Sequence, residues 1–199
     1  SMDRTNNLTT IETGASVGYG FEYNINKKDL NNNVYLDAGF SIGQIVKEKK
    51  LKQMPKNSSL QEKKSDYMGN SSFKIKTEKF NNSAFDIDYN YIVNNNFNAL
   101  IKNEITTSFT NSHNTLGLTF YEENKIGDKH YVEANYKRKF NNSLNFSMGT
   151  RKNLQEDFTE RNFIETNYES DCLKIGLNLS KVFYQDGEIK PSNNLTFSI

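Results

Sequence analysis

The sequence predicts an all-β fold, an antiparallel up-and-down meander of about 11–12 strands that forms part of a transmembrane β-barrel. Three observations lead to this prediction. Apolar and polar residues alternate with a period of two along most of the chain, clusters of Asn, Asp, Gly and Ser separate the alternating segments, and no segment has a helical period.

The first alternating segment, Ile11–Asn24, places mostly apolar residues at odd positions and Glu, Gly, Ser and Asn at even positions. Seven further segments repeat the pattern, and three weaker ones fit it. In chain order the segments are 11–24, 34–43, 67–79, 85–93, 97–109, 115–120, 132–140, 144–149, 161–172, 173–183 and 194–199. The residues between them, such as Asn94–Asn96 and Asn141–Ser143, favour tight hairpin turns because Asn tolerates left-handed backbone.

One predicted connection is much longer than the others. Residues 46–64 are rich in lysine and contain Pro55, so we expect a solvent-exposed loop. Outer-membrane barrels keep long loops outside the cell, so protease added to intact cells should cut near Lys49–Lys56. Cleavage at Asn94–Asn96 instead would indicate the reverse orientation.

A soluble β-sandwich or half-barrel also alternates, but three features favour a membrane barrel. The segments reach about ten residues, the length that crosses a bilayer with tilt. Charges and glycines occupy the face opposite the apolar one, and aromatic residues recur near segment ends, at Tyr89, Tyr91, Phe120, Tyr121, Phe140 and Phe183. A hydrophobic content of 35% is also low for a soluble core.

The composition excludes other classes. A net charge of +1 creates no field for a polyanion, so no nucleic-acid partner is expected. No run of about 18 apolar residues predicts a transmembrane helix, and an aromatic content of 13% disfavours plain disorder. The opening Ser1–Arg4 lacks the apolar region of a signal peptide, which indicates either a mature or excised piece or a cytoplasmic protein.

Residues that could carry chemistry are sparse. His113 and His130 lack metal-binding spacing, and the single Cys172 cannot form an internal disulfide, so we expect no metal, cofactor or catalytic residue. Asp86 and Asp88 share a face and are interpreted as lumen-facing carboxylates. An enzyme of the barrel phospholipase or protease type is the third hypothesis.

Several short segments resemble the LptD family of lipopolysaccharide-assembly proteins, also called the organic solvent tolerance protein family. Ser65–Gly69 resembles the family's "SDYVG" motif after a long loop, and Tyr168–Cys172 resembles its "YEDEC" motif. The remaining similar segments, in chain order, are Asp3-Arg4 with Ile11–Gly14 and Tyr19-Gly20, Phe40–Gln44, Arg151–Leu154, Leu179–Lys181 and Asp186–Pro191.

The resemblance implies that residues 1–199 are the C-terminal portion of an outer-membrane β-barrel domain, one component of the lipopolysaccharide export translocon. In that role the chain would lie in the cell outer membrane and insert lipopolysaccharide into its outer leaflet. The implied partners are lipopolysaccharide, membrane lipid, a plug lipoprotein of the LptE type and a periplasmic jellyroll domain of the same chain.

The resemblance also assigns residues. Leu195, Phe197 and Ile199 would belong to the lateral-gate strand. Cys172 would lie at the periplasmic end and form a disulfide with a cysteine of the periplasmic domain, absent from these 199 residues. Asp37, Glu133 and Lys137 are expected to face sugar or plug in the lumen. The alternative function is a small self-contained outer-membrane barrel that serves as a pore or adhesin.

Overall fold

A computed structural model describes residues 14–30, 34–52, 54, 58–77, 82–125, 129–183 and 191–198. It contains eleven β-strands and one short 3-10 helix, Ser59–Gln61. The strands are β1 (Ser16–Lys28), β2 (Val34–Lys47), β3 (Tyr67–Thr77), β4 (Ser83–Val93), β5 (Leu100–Thr110), β6 (Asn114–Glu123), β7 (Lys129–Lys139), β8 (Leu144–Asn153), β9 (Phe158–Glu169), β10 (Lys174–Val182) and β11 (Ser192–Ser198).

The strands form a single sheet in which each one pairs antiparallel with the next along the chain. This confirms the predicted all-β meander and includes the three weak segments, which became β3, β5 and β9. Among the described residues no pairing joins β1 to β11, so the sheet is open rather than a closed barrel. Ile11, in the first predicted segment, and Ile199, in the last, lie outside the described residues.

The pairing registers place most apolar residues of each strand on one face of the sheet. Phe21 on β1 lies opposite Ile42 on β2, for example, and far along the sheet Ile164 on β9 lies opposite Leu179 on β10. Paired residues of antiparallel strands point to the same side, so this register joins the separate apolar stripes into one continuous apolar face. The other side is the polar face.

The buried core is small and lies beside one connection. The buried apolar residues of the described chain are Ile45, Leu51 and Met54, which are 2%, 3% and 5% exposed. Because β2 continues to Lys47, the long connection spans residues 48–66 instead of the predicted 46–64. It is also not simply a solvated loop, since Leu51 and Met54 within it are buried.

The connections differ in length between the two ends of the sheet. At one end, called the loop end, each connection leads from an even-numbered strand to the next odd-numbered strand. The shortest of these connections is residues 154–157, and the longest is residues 48–66. At the opposite turn end, the connections are short, such as 111–113 and 170–173. Asn94–Asn96 lies at the loop end together with residues 48–66, so cleavage there does not distinguish the two orientations, contrary to the sequence-based expectation.

Candidate functional site

The apolar face carries a continuous band of apolar side chains that are exposed or half-buried. On β7 the apolar-face residues Val132, Ala134 and Tyr136 lie between His130 and Arg138. Eight residues of extended strand cover about 27 Å. Large side chains in the band remain accessible, including Leu118 (46% exposed).

The band crosses the strands obliquely. Phe21, in the middle of the apolar stretch of β1, belongs to a row of paired residues that continues through Ile42, Gly69, Tyr91 and Asn103 to Glu122 on β6. The middle of the apolar stretch on β6 is Leu118, four residues away from Glu122. From β1 to β6 the middle of the band therefore shifts by about 14 Å along the strand direction, while the sheet extends by about 24 Å across the strands. These two distances give an angle of about 30° between the band and the hydrogen-bonded rows.

Tyrosine side chains gather at the loop end of the apolar face. The Tyr19 hydroxyl donates a hydrogen bond to Gln44 Oε1. The Tyr89 and Tyr91 rings lie 5.1 Å apart, and the Tyr67 ring lies 4.2 Å from that of Phe97. Of the aromatic residues expected near strand ends, Tyr89 and Tyr91 lie in this group, whereas Tyr121 lies on the polar face.

Two of the segments that carry the sequence resemblance meet at the loop end, beside these tyrosines. Gln44 is 2% exposed and donates from Nε2 to the Ser65 carbonyl oxygen at 2.7 Å. The Ser65 hydroxyl accepts from the Ile45 N–H at 2.9 Å and donates to the Asp66 carbonyl oxygen at 2.8 Å. Phe40–Gln44 and Ser65–Gly69, distant in sequence, therefore meet through a buried hydrogen bond between Gln44 and Ser65.

Asp66 ties three loop-end connections together. Its carboxylate accepts from the Asn95 backbone N–H at 3.2 Å and forms an ion pair with Lys125 at 3.0 Å. The Asp66 side chain is 8% exposed. Because Asn95 follows β4 and Lys125 follows β6, the carboxylate joins the connection before β3 to those after β4 and β6.

The polar face holds a transverse stack of charged and aromatic side chains near the loop end. The Lys102 ammonium lies 5.3 Å from the Tyr121 ring centroid, and the Tyr121 ring stacks on Tyr131 at 4.9 Å. The Arg151 guanidinium covers the other side of Tyr131 at 3.9 Å. Glu133, predicted as a lumen residue, lies 3.3 Å from Arg151 Nε. Sequence alternation placed Glu133 correctly on the polar face but did not reveal this stack, because cross-strand neighbours depend on register.

The other residues assigned by resemblance lie apart from these clusters. Cys172 is exposed and lies in the 170–173 connection at the turn end, opposite residues 48–66. Leu195 and Phe197 lie on the apolar face of β11, 69% and 60% exposed. Asp37 and Lys137 lie on the polar face, as predicted.

Within the described part of the chain, no group of three or more His, Cys, Asp or Glu residues could hold a metal ion. No helix in that part is long and apolar enough to span a membrane. No protein-family model matches the sequence, and no curated protein matches it significantly.

Proposed function

We propose that the chain is the C-terminal part of an outer-membrane β-barrel in the lipopolysaccharide export translocon. The observation that carries the membrane part of this proposal is the oblique apolar band. Strands of membrane barrels tilt about 35–45° and present an apolar band about 25 Å tall between two polar edges. An angle of about 30° and a stretch of about 27 Å between His130 and Arg138 on β7 are close to those values.

The parity of the sheet favours a part of a larger barrel over a self-contained one. In an antiparallel meander β1 and β11 run in the same direction, so direct closure would require one parallel pair. An odd number of additional strands would give an even-stranded, fully antiparallel barrel, as in bacterial single-chain barrels. Among the described residues only eleven strands are present.

Lipopolysaccharide as cargo is supported by the chemistry of the two faces and by the resembling segments. A polar face rich in Asn, Ser, Thr and charged side chains can bind sugars, while a seam between weakly paired strands can release acyl chains into lipid. Phe40–Gln44 and Ser65–Gly69 also meet through the buried Gln44–Ser65 hydrogen bond, which is consistent with a shared structural role for these similar segments.

Photo-crosslinking in living cells tests the proposal. A photoreactive residue replacing Glu133 on the polar face of the full-length protein should crosslink to lipopolysaccharide, and energy depletion should abolish that crosslink because transport stops. The same residue at Leu118, on the apolar face, provides the control, since its contact with surrounding membrane lipid needs no transport. A properly inserted protein with no crosslink at position 133 would contradict the conduit function.

The self-contained pore or adhesin remains the second candidate because one additional strand would already give an even count of twelve, within the range of bacterial single-chain barrels. The reading frame upstream of Met2 distinguishes the two. Further strands and a jellyroll domain there would support the translocon, whereas a stop codon with a signal peptide directly before Asp3 would support the small barrel.

A further inference from the structure

Two neighbouring lysines on the polar face of β7 differ from most strand cations in having no partner. Lys74, Lys102, Lys152 and Lys174 form ion pairs with carboxylates. Arg138, Arg161 and Lys181 lie over phenylalanine rings. Within the described ranges, Lys137 and Lys139 form neither kind of contact, although they are two residues apart on the same face.

The surroundings of these lysines are polar and contain one carboxylate. Lys137 lies opposite Ser147 on β8, and Lys139 lies opposite Asn145. The Glu165 carboxylate on β9 already accepts two hydrogen bonds. Asn167 Nδ2, on the same strand, donates at 2.8 Å, and Ser147 Oγ donates at 3.4 Å. Two ammonium groups therefore face one carboxylate that other donors already hold, which leaves a local excess of positive charge.

Open space adjoins both lysines. A cavity of about 310 Å³ is lined by Lys137, Lys139, Asn145, Ser147, Glu165 and Asn167, together with Arg138 and Phe146. A second cavity of about 440 Å³ shares Lys139 and Asn145 and extends to His113 and Asn142 in the turn-end connections. Together they form a recess at the turn-end edge of the polar face, with ammonium and amide donors around it.

We infer that this recess binds a phosphate group. Lysine is a common phosphate ligand that acts as a point charge, and asparagine amides supply neutral donors beside it. Lys137 and Lys139 are separated by about 6.8 Å along the strand, so one phosphate can lie between their flexible ammonium groups. The phosphate belongs either to a lipid-linked headgroup or to a free anion.

This inference deepens the proposed function and rests on it in one respect, that the polar face borders water. A phosphorylated amphiphile entering from the turn end would meet this recess before it reached the stack of Tyr121 and Tyr131. Lys137, expected from the resemblance to face sugar or plug, would instead contact the phosphate of such a molecule.

A binding experiment with the full-length protein in zwitterionic detergent tests the inference. Lysophosphatidic acid, which has a phosphate monoester, should bind at least tenfold more tightly than lysophosphatidylcholine, whose phosphate is masked by choline. The double variant Lys137→Gln/Lys139→Gln should lose this preference. Lys129→Gln is the matched control, since Lys129 lies on the same face of the same strand but at the loop end, and it should retain the preference.

Inorganic phosphate as a competitor identifies the source of the group. Competition at concentrations similar to those of lysophosphatidic acid would indicate a free anion, and much weaker competition a lipid-linked phosphate. Equal binding of the two lipids to the unmodified protein, or equal loss in the Lys129 variant, would overturn the inference. A protein that showed the preference but was absent from the outer membrane would keep the inference and contradict the proposed function.

Discussion

Ala38 and Ser41 lie on opposite faces of β2 and test what each face contacts. Ala38 lies between Ile25 and Phe73 on the apolar face, whereas Ser41 lies opposite Glu22 on the polar face. Ala38→Arg should destabilise the membrane-inserted protein by roughly 2–4 kcal/mol, while Ser41→Arg should be nearly neutral. Urea unfolding in lipid vesicles measures both. Equal losses would mean that both faces are buried, as in a soluble sandwich.

Asp66 offers a second test at the level of single residues. Its removal by Asp66→Ala leaves the Asn95 N–H and the Lys125 ammonium without their acceptor, so we expect a loss of about 1–2 kcal/mol. The matched control is Asp157→Asn, which removes an ion pair with Lys152 at 2.5 Å where the Asp157 side chain is 83% exposed. Asparagine also tolerates the positive φ of 51° at this position. The control variant should change the free energy of unfolding very little, because an exposed ion pair contributes little to stability. Similar urea-unfolding midpoints for both variants would show that Asp66 does not hold the connections together.

The connection formed by residues 48–66 is the element whose behaviour departs most from the sequence-based expectation. Leu51 and Met54 are buried, so trypsin should cut the intact protein slowly there even though Lys49 and Lys50 are exposed. Leu51→Ser combined with Met54→Ser should raise the cleavage rate at least tenfold, because the loss of each buried side chain costs about 1.5–3 kcal/mol. Mass spectrometry of the fragments measures the rate.

Leu154→Ser provides the control for that experiment, because Leu154 lies in another loop-end connection and is 43% exposed. It should leave the cleavage of residues 48–66 unchanged. An unaltered rate in the double variant would show that the connection is held by its backbone contacts, such as Lys47 N–H to Lys63 O at 2.7 Å.

Most of the strands could be predicted from the sequence, whereas the contacts between distant residues could not, and the reason for this difference is physical. Alternation is a local property, so it identified even β5, whose apolar face is interrupted by Thr107 and Asn103. The contact between Gln44 and Ser65 depends on how a long connection folds back, which no periodicity encodes. The stack of Tyr121 on Tyr131 similarly requires the register of β6 against β7.

At the scale of the whole molecule, the topology fixes which residues lie at the same end. In a Cys172→Ser background, cysteines introduced at Lys49 and Asn95 should both react with a membrane-impermeant maleimide on intact cells, whereas Asn142→Cys should not. These positions lie at the loop end and the turn end, respectively, and long loops face the exterior in outer-membrane barrels. Labelling at position 142 alone would indicate that the protein has the reverse orientation.

The proposed disulfide of Cys172 is a separate whole-molecule prediction. Its exposure in the 170–173 connection leaves the thiol accessible to a partner outside the described residues, and an oxidising periplasm favours a disulfide. Full-length protein should therefore migrate differently in reducing and non-reducing electrophoresis, and Cys172→Ser should abolish the difference. Unchanged mobility with a fully alkylatable Cys172 would contradict the tether.

The small buried core has a consequence for how the chain reaches its folded state. Each strand pairs only with its neighbours in sequence, so hairpins can add one at a time with little loop-closure entropy. The three buried apolar residues of the described ranges cannot offset the conformational entropy of eleven ordered strands, so we expect the sheet to gain most of its stability only when another phase covers the apolar face. The unfolded chain, with a mean hydropathy of −0.80, is polar enough to stay dissolved until it reaches that phase. We therefore expect folding to be limited by delivery to lipid rather than by strand pairing.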